Sequence, residues 1–181
     1  MDELDLAFDD LVHALADAAT AVREHPFFAD DENRPGAYAF VVSMLLSRLE
    51  EDVVFDAGTP AFRILDPRIR EGGDNPDQRY LIATLRGGET YRIWGSRGTA
   101  RRVDMQIYAG DPYVPGSGGR AASYLDHEDL QYAADGSFSV LASPTRADGP
   151  WLENPPDATR ILVRQVFSDW EREQTGEVHI D

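Results

Sequence analysis

The chain has 181 residues, of which 33 are acidic and 17 are basic, so its formal net charge is −16. It contains no cysteine, which excludes disulfides, a cysteine nucleophile and thiolate metal sites. All 17 basic residues are arginine, and the absence of lysine excludes Schiff-base chemistry. The negative charge disfavours nucleic acid and anionic membranes as partners.

Two amphipathic helices are predicted at the N-terminus. Over residues 3–24 apolar side chains recur at spacings of three and four, and Pro26 ends the helix. A second apolar stripe predicts a helix over residues 37–52, whose last turn is expected to fray because Glu50–Asp52 places acids at the negative end of the helix dipole. Residues 1–58 are therefore predicted to form an antiparallel helical hairpin, which hides its apolar faces on itself, on the rest of the chain or on a partner.

Short strands are predicted in the remainder of the chain, residues 59–181. Each candidate segment is mostly rich in β-branched or aromatic residues and is bounded by turn residues. No helix-length segment separates the candidates, so a parallel sheet with helical crossovers is unfavourable. The sequence predicts a mostly β fold with an α-helical N-terminus, in which an antiparallel, jelly-roll-like β-sandwich follows the helical hairpin. The predicted strands are residues 79–85, 90–95, 101–109, 130–133, 137–142 and 160–168.

Glycine-containing turns connect these strands. Arg86–Glu89 reads Arg-Gly-Gly-Glu and predicts a β-hairpin, and Ala134–Gly136 predicts a second hairpin that joins 130–133 to 137–142. Residues 110–128 are predicted to be a long glycine-rich loop, which is typical of a functional or a disordered segment.

The charge is unevenly distributed along the chain. Residues 1–60 carry a net charge of −11, residues 61–120 carry +3 and residues 121–181 carry −8. The arginines of the middle third either pair with acids from the other two thirds or line a pocket for a carboxylate, sulfate or phosphate, because guanidinium groups bind such anions in a bidentate manner.

The sequence contains few motifs that indicate chemistry. No two of the four histidines are spaced as metal ligands, and serine-nucleophile and P-loop motifs are absent. The densest group of candidate ligands, Asp126–Asp129, is either a solvated turn or part of an oxygen-rich metal site. Asp74–Tyr80 contains Asn-Pro-Asp, which is strong turn chemistry and is either a structural corner or a set of polar groups at the mouth of the sheet.

The N-terminus, MDELDLAFDD, lacks the basic start and the apolar run of a secretory signal. The most apolar window, residues 38–49, is too short to span a bilayer. We therefore expect a soluble, cytoplasmic protein.

Several strings in a fixed order resemble an uncharacterised bacterial family, the Domain of Unknown Function 1214 group and the related paired 1254/1214 proteins. The strings are DNPDQRY, YRIWGSRGTARRVDMQIY, DGSFSVLASP and TRILVRQVFSDWE, and together they cover about residues 60–172. The resemblance implies a jelly-roll-like β-sandwich and implies no catalytic residues. The matching positions are Asn75, Pro76, Asp77, Tyr80, Tyr91, Arg92, Ile93, Gly95, Asp135, Gly136, Ser137, Trp151, Leu152, Arg160, Arg164 and Phe167.

Three functional hypotheses follow, and they leave open whether the protein is an enzyme. The first is a protein that binds or transforms a small anionic or apolar molecule in an arginine- and aromatic-lined cleft, without a metal or a cofactor. The second is a non-catalytic assembly protein that forms a homo-oligomer or binds a partner subunit through its acidic hairpin, for which the sign is an exposed stripe at Leu4, Phe8, Leu11 and Leu15. The third is a metal-dependent hydrolase using carboxylates and His127. The predicted ligand-binding residues are Asn75, Asp77, Tyr80, Arg92, Trp94, Arg102, Gln106, Tyr108, Tyr124 and His127.

Overall fold

The computed structural model describes residues 2–65, 75–111 and 116–181. The described chain divides into two compact units, of which the first holds residues 2–49 and the second holds all the others. Among the described residues, no helix combines the length and the apolar character that a membrane crossing requires.

The first unit consists of two helices that contact each other. Helix α1 spans Glu3–Glu24 and begins with a capping box, in which Asp2 Oδ1 accepts from the Asp5 backbone N–H at 2.8 Å and the Asp5 carboxylate accepts from the Asp2 N–H at 3.2 Å. A 3₁₀ turn follows at Pro26–Ala29, and helix α2 spans Arg34–Leu49. The two predicted helices are confirmed.

The second helix starts earlier than its apolar stripe indicates. Pro35 and Gly36 lie in the first turn of α2, where the missing proline N–H costs no helical hydrogen bond. The α-helix also ends at Leu49, three residues before its predicted end. Glu50–Val54 form a π-helical turn that belongs to the second unit.

The second unit contains two β-sheets. The five-stranded sheet has the order β1-β2-β8-β4-β5, and all its pairs are antiparallel. Its strands are β1 (Arg63–Leu65), β2 (Gln78–Thr84), β4 (Arg102–Ala109), β5 (Arg120–Leu125) and β8 (Ala158–Val166). The four-stranded sheet has the order β7-β6-β3-β9, in which β6 and β7 run parallel. Its strands are β3 (Tyr91–Ser96), β6 (Ser137–Ser143), β7 (Trp151–Glu153) and β9 (Val178–Ile180).

The core lies between the two sheets. Alternate residues of β4, namely Val103, Met105 and Ile107, are fully buried, because a strand points successive side chains to opposite faces. Ile93 of β3 and Val140 of β6 enter the same apolar cluster from the other sheet. Both sheets therefore enclose one core, which confirms the predicted mostly β, sandwich-like fold with an α-helical N-terminus.

The Arg86–Glu89 turn is not a hairpin, and this prediction was wrong. β2 and β3, which it connects, belong to different sheets. The side-chain amide of Asn154 donates to the carbonyls of Arg86 and Glu89 at 3.1 and 2.8 Å and holds the turn. A Cβ on Gly87 would lie 2.3 Å from the Pro156 carbonyl oxygen, so this glycine permits a close approach of backbones rather than a hairpin.

The predicted strand 130–133 is also wrong. These residues form no strand, although Leu130 is buried in the core, so their apolar character reflects burial of a loop. Conversely, β5 runs through part of the predicted loop 110–128, of which residues 112–115 lie outside the described residues. The three-residue strands β1, β7 and β9 were not predicted, because three residues are too few to display an alternating pattern.

Candidate functional site

Five of the ten predicted ligand-binding residues lie on the outer face of the five-stranded sheet. Arg102, Gln106 and Tyr108 are alternate residues of β4 and therefore share the face opposite the core. Tyr124 of β5 lies directly opposite Gln106 in the ladder. Tyr80 of β2 reaches the same face one row away, where the order across the sheet is Tyr80, Arg164, Asp104.

Arg164 of β8, which was not among the predicted site residues, is the centre of this face. Its guanidinium donates to Asp104 Oδ1 at 3.0 Å, to Gln106 Oε1 at 3.1 Å and to Tyr108 Oη at 3.2 Å. Tyr108 in turn donates to Gln106 Oε1 at 2.9 Å. Asp104 is buried although it faces away from the core, whereas Arg164, Gln106 and Tyr108 are half-buried.

Arg102 completes the network. Its Nε donates to Asp104 Oδ2 at 3.2 Å, and its Nη2 donates to the Asp126 carboxylate and to Tyr124 Oη, each at 2.6 Å. The Glu128 backbone N–H, assisted by Arg102, holds the pKa of Asp126 below its ordinary value. Two guanidinium groups therefore meet two carboxylates, so the charges on this face are largely matched.

Arg92 and Trp94 lie elsewhere, on β3 in the four-stranded sheet. The Asp181 carboxylate accepts from Arg92 Nε and Nη2 at 3.2 Å and from Trp94 Nε1 at 2.9 Å. The Trp94 indole stacks on His179 with 4.4 Å between ring centroids. These contacts fasten β9 to β3, and the two residues do not share a site with Arg102.

Asn75 and Asp77 form a corner before β2. Asn75 Oδ1 accepts from the Asp77 backbone N–H at 3.0 Å, and the Asp77 carbonyl accepts from the Phe167 N–H at 2.8 Å. Trp170 Nε1 donates to the Pro76 carbonyl at 2.7 Å. The side-chain and backbone groups of Asn-Pro-Asp therefore stabilise this corner. Residue 74, the first residue of the predicted polar segment 74–80, lies outside the described residues.

His127 is packed into the structure beside Tyr132. Its Nδ1 accepts from the Val103 backbone N–H at 3.3 Å and lies 3.0 Å from Tyr132 Oη. Burial lowers the pKa of His127 and raises the pKa of Tyr132 to about 12, so both side chains are neutral at pH 7. In the described parts of the chain, no three histidine or carboxylate side chains lie close enough together to hold a metal ion.

A depression of about 220 Å³ lies where the π-helical turn meets the five-stranded sheet. Glu51, which forms part of its lining, bonds Arg63 at 2.9 Å and Arg160 at 3.2 Å, and all three side chains are nearly inaccessible. Thr84 Oγ1 donates to the Glu51 carbonyl at 3.2 Å. The helix was expected to fray at Glu50–Asp52, because no local feature of the sequence indicates that Arg63 and Arg160 neutralise the Glu51 carboxylate.

The helical unit presents a different kind of surface. Leu4 is 80% exposed, Phe8 65%, Leu11 36% and Val12 50%, and we call these four residues the exposed stripe. The same helical face continues into half-buried Leu15 and buried Val22, where α1 packs on α2. The apolar face of α1 is therefore covered over its C-terminal half and uncovered over its N-terminal half.

Helix α2 also leaves an apolar edge in solvent. Val42, Leu46 and Leu49, spaced four and three residues apart, are 55%, 47% and 39% exposed.

The N-terminal half of α1 is rich in acidic residues. Residues 2–14 contain five carboxylates and no arginine.

The chain is similar to a solved protein from Burkholderia cenocepacia. That crystal structure of an uncharacterised protein matches 96% of this chain with a TM-score of 0.88 and 28% sequence identity. The match extends over both units and covers 49% of that chain, so this chain spans about half the length of the solved protein. No family model and no curated protein matched the chain.

This similarity supports the fold and assigns no function. The resemblance to Domain of Unknown Function 1214 stays a prediction, because the description of the solved protein states no family. The geometry itself offers two surfaces: a polar sheet face whose charged groups are matched, and an apolar helical face with no cover among the described residues.

Proposed function

We propose that the protein is an assembly module whose helical unit docks on another protein. The observation that carries the proposal is the exposed stripe on α1, because a helix of a globular protein normally buries its apolar face against another element. The proposal develops the second of the hypotheses made from the sequence. Leu4, Phe8 and Leu11 are exposed as that hypothesis requires, whereas Leu15 is half-buried.

Burial of the exposed stripe would favour association. Full burial of a Leu, Val or Phe side chain contributes about 1.5–3 kcal/mol, so scaling by the exposed fractions gives about 5 kcal/mol for the four residues. Loss of translational freedom and side-chain ordering oppose this gain. The apolar edge of α2 and the polar contacts of a partner would have to supply the rest of a stable interface.

The helix itself benefits from a partner. An isolated helix of fewer than about 12–15 residues is marginal in water, and most helical stability in proteins comes from packing of the apolar face. The first three turns of α1 have their capping box but leave residues 2–14 exposed on every side. Docking would supply the packing that this segment lacks.

The comparison with the solved protein agrees with a module of this kind. A region similar to this chain forms 49% of the Burkholderia cenocepacia protein, so such a region occurs joined to as much polypeptide again. The sandwich-like fold also agrees with the proposed relation to Domain of Unknown Function 1214, which implied a β-sandwich.

A small-molecule site on the sheet is supported less well. The guanidinium groups of Arg102 and Arg164 already bond Asp104 and Asp126, and the remaining predicted residues are distributed over three other places. No observation on this face favours an anion over the present partners.

The native size of the protein in cell extracts tests the proposal. We expect the wild-type chain to elute in a complex well above its 20.1 kDa mass, and a Leu4→Ser/Phe8→Ser variant to elute at that mass. Ile64→Ser, a matched loss of a 45% exposed apolar side chain in the second unit, should leave the complex intact. If wild type elutes as a monomer, or if the double variant stays in the complex, the docking proposal is wrong.

A further inference from the structure

Two aspartates of the second unit are each followed directly by glycine. Asp135–Gly136 lies in the turn before β6, and Asp148–Gly149 lies in the segment 144–150 that joins β6 to β7. A glycine nitrogen can approach the preceding side chain closely, because glycine has no Cβ to obstruct it. Both aspartates are exposed, and a Cβ on either glycine would meet no atom within 4 Å beyond its chain neighbours. Steric access therefore does not distinguish the two pairs.

The Asp135–Gly136 pair is held at both of the groups that would react with each other. Asp135 Oδ1 accepts from the Ser137 backbone N–H at 2.9 Å, and the Gly136 N–H donates to the Ala133 carbonyl at 2.9 Å. The Ser137 hydroxyl, together with this N–H, holds the pKa of Asp135 below its ordinary value. The carboxylate is kept ionised and the glycine nitrogen is kept in the turn, and both effects oppose attack of the nitrogen on the carboxyl carbon.

The Asp148–Gly149 pair has neither restraint. Within the part of the chain that the structure describes, the Asp148 carboxylate forms no ion pair and accepts no hydrogen bond. The Gly149 N–H likewise donates to no acceptor there. The two groups that would react are therefore free to approach each other.

We propose that Asp148 is a site of spontaneous isomerisation to isoaspartate and that Asp135 is protected from the same reaction. The Gly149 nitrogen bonds to Asp148 Cγ, and one water leaves, formed from the amide hydrogen and the carboxyl hydroxyl group. Water then opens the resulting succinimide ring. Attack at Cγ restores aspartate, whereas attack at the main-chain carbonyl carbon leaves the chain running through Cγ, which is isoaspartate.

The modification would disturb the start of β7. Isoaspartate at position 148 lengthens the main chain by one methylene group, whereas the Pro150 carbonyl, two residues later, accepts from the Leu141 N–H at 3.1 Å. Trp151, the first residue of β7, donates from Nε1 to Ser143 Oγ at 3.0 Å. Isomerisation would therefore accumulate with the age of the chain and weaken the attachment of β7 to β6.

Ageing of the chain in heavy-oxygen water tests the proposal, because each ring opening incorporates one oxygen atom from the solvent. The purified chain is aged under native conditions and in concentrated urea, and it is then cleaved after arginine. Cleavage places the two pairs in different peptides, residues 121–146 and 147–160, since the chain has no lysine and each peptide ends at the next arginine. Electron-transfer fragmentation locates the label and identifies isoaspartate.

The labelling rate of each peptide under native conditions is divided by its rate in urea, which removes the effect of neighbouring residues on the intrinsic rate. We expect this ratio to be about tenfold lower for Asp135 than for Asp148, because the hydrogen bonds of Asp135 and Gly136 must break before attack. Equal ratios, or a lower ratio for Asp148, would overturn the proposal. Native peptide 147–160 without label at Asp148, when the urea sample carries it, would also overturn it.

Two variants test the cause of the difference. Asp148→Glu keeps the charge but would require a larger ring, so label at this position should disappear. Ser137→Ala removes the hydroxyl that bonds Asp135 and retains the backbone N–H, and it should raise labelling of Asp135 severalfold under native conditions. Circular dichroism checks that each variant is folded. A folded Ser137→Ala variant with unchanged labelling of Asp135 would contradict the protection by hydrogen bonds on which the proposal rests.

Discussion

Glu51 provides the sharpest test of how the sandwich is held together. Its carboxylate bonds Arg63 Nη2 at 2.9 Å and Arg160 Nη1 at 3.2 Å. The three side chains are only 8%, 7% and 10% exposed in the order Glu51, Arg63, Arg160. Glu51→Ala would leave two nearly buried cations without their shared anion.

The cost of this substitution can be bounded. Removing one partner of a buried ion pair costs about 3–5 kcal/mol, because the remaining charge stays desolvated. Arg63 keeps a contact to Glu50 at 3.5 Å and Arg160 keeps one to Asp111 at 3.4 Å, so the lower end, about 3 kcal/mol, applies. With a urea slope of about 2 kcal/mol per molar, the unfolding midpoint falls by about 1.5 M.

Tryptophan fluorescence reports the right unit, because all three tryptophans of the chain, Trp94, Trp151 and Trp170, lie in the second unit. The matched control is Asp52→Ala, which removes the neighbouring, exposed carboxylate and should change the free energy of unfolding by no more than about 0.5 kcal/mol.

Two results would refute the reasoning about Glu51. One is a loss of less than about 1 kcal/mol for Glu51→Ala, similar to that of the control. The other concerns a triple variant, Glu51→Leu/Arg63→Met/Arg160→Met. We expect this variant to recover most of the stability that Glu51→Ala loses, because replacing buried ionic groups together by apolar ones is often neutral. A triple variant less stable than Glu51→Ala would contradict this explanation.

Three further predictions concern the described fold. Burial lowers the pKa of His127 below its unfolded value near 6.5, so the unfolded chain binds one more proton than the folded chain, and stability falls as the pH drops through that value. The His127→Asn variant lacks this titration, and its side-chain oxygen can still accept from the Val103 N–H. Its free energy of unfolding should therefore depend less on pH between about pH 5 and 7 than that of the wild type. Gly87→Ala should cost about 2 kcal/mol in urea unfolding, because its Cβ would lie 2.3 Å from the backbone oxygen of Pro156. Amides of residues 3–14 should exchange with deuterium far faster than those of β4 in the purified chain, because every described residue of that half of α1 is exposed. Equal protection would contradict the exposed stripe.

The sequence predicted those elements whose signal is local. The face of α1 repeats every three to four residues, and Val103, Met105 and Ile107 alternate with polar neighbours, so both patterns are visible without any knowledge of partners. Sheet membership is not local. β2 and β3 are separated by the Arg86–Glu89 turn, yet they pair in different sheets.

The same distinction explains the candidate site. Alternation correctly grouped Arg102, Gln106 and Tyr108, because neighbours along one strand share a face. It could not tell that Arg92 and Trp94 belong to the other sheet, or that Arg164 lies between Asp104 and Tyr80, because strand order and register depend on long-range pairing. The exposure of Leu4 and Phe8 was likewise open, since an apolar stripe looks the same whether it is covered or not.

The central claim, that the exposed stripe docks on another protein, is tested most directly by photo-crosslinking in the source cell. A benzoylphenylalanine placed at position 8 should give one discrete adduct, and Leu4→Ser/Leu11→Ser in the same chain should abolish it. The same group at position 170, where Trp170 is 48% exposed on the sandwich, should give none. No adduct at position 8, or the same adduct from both positions, would contradict the account.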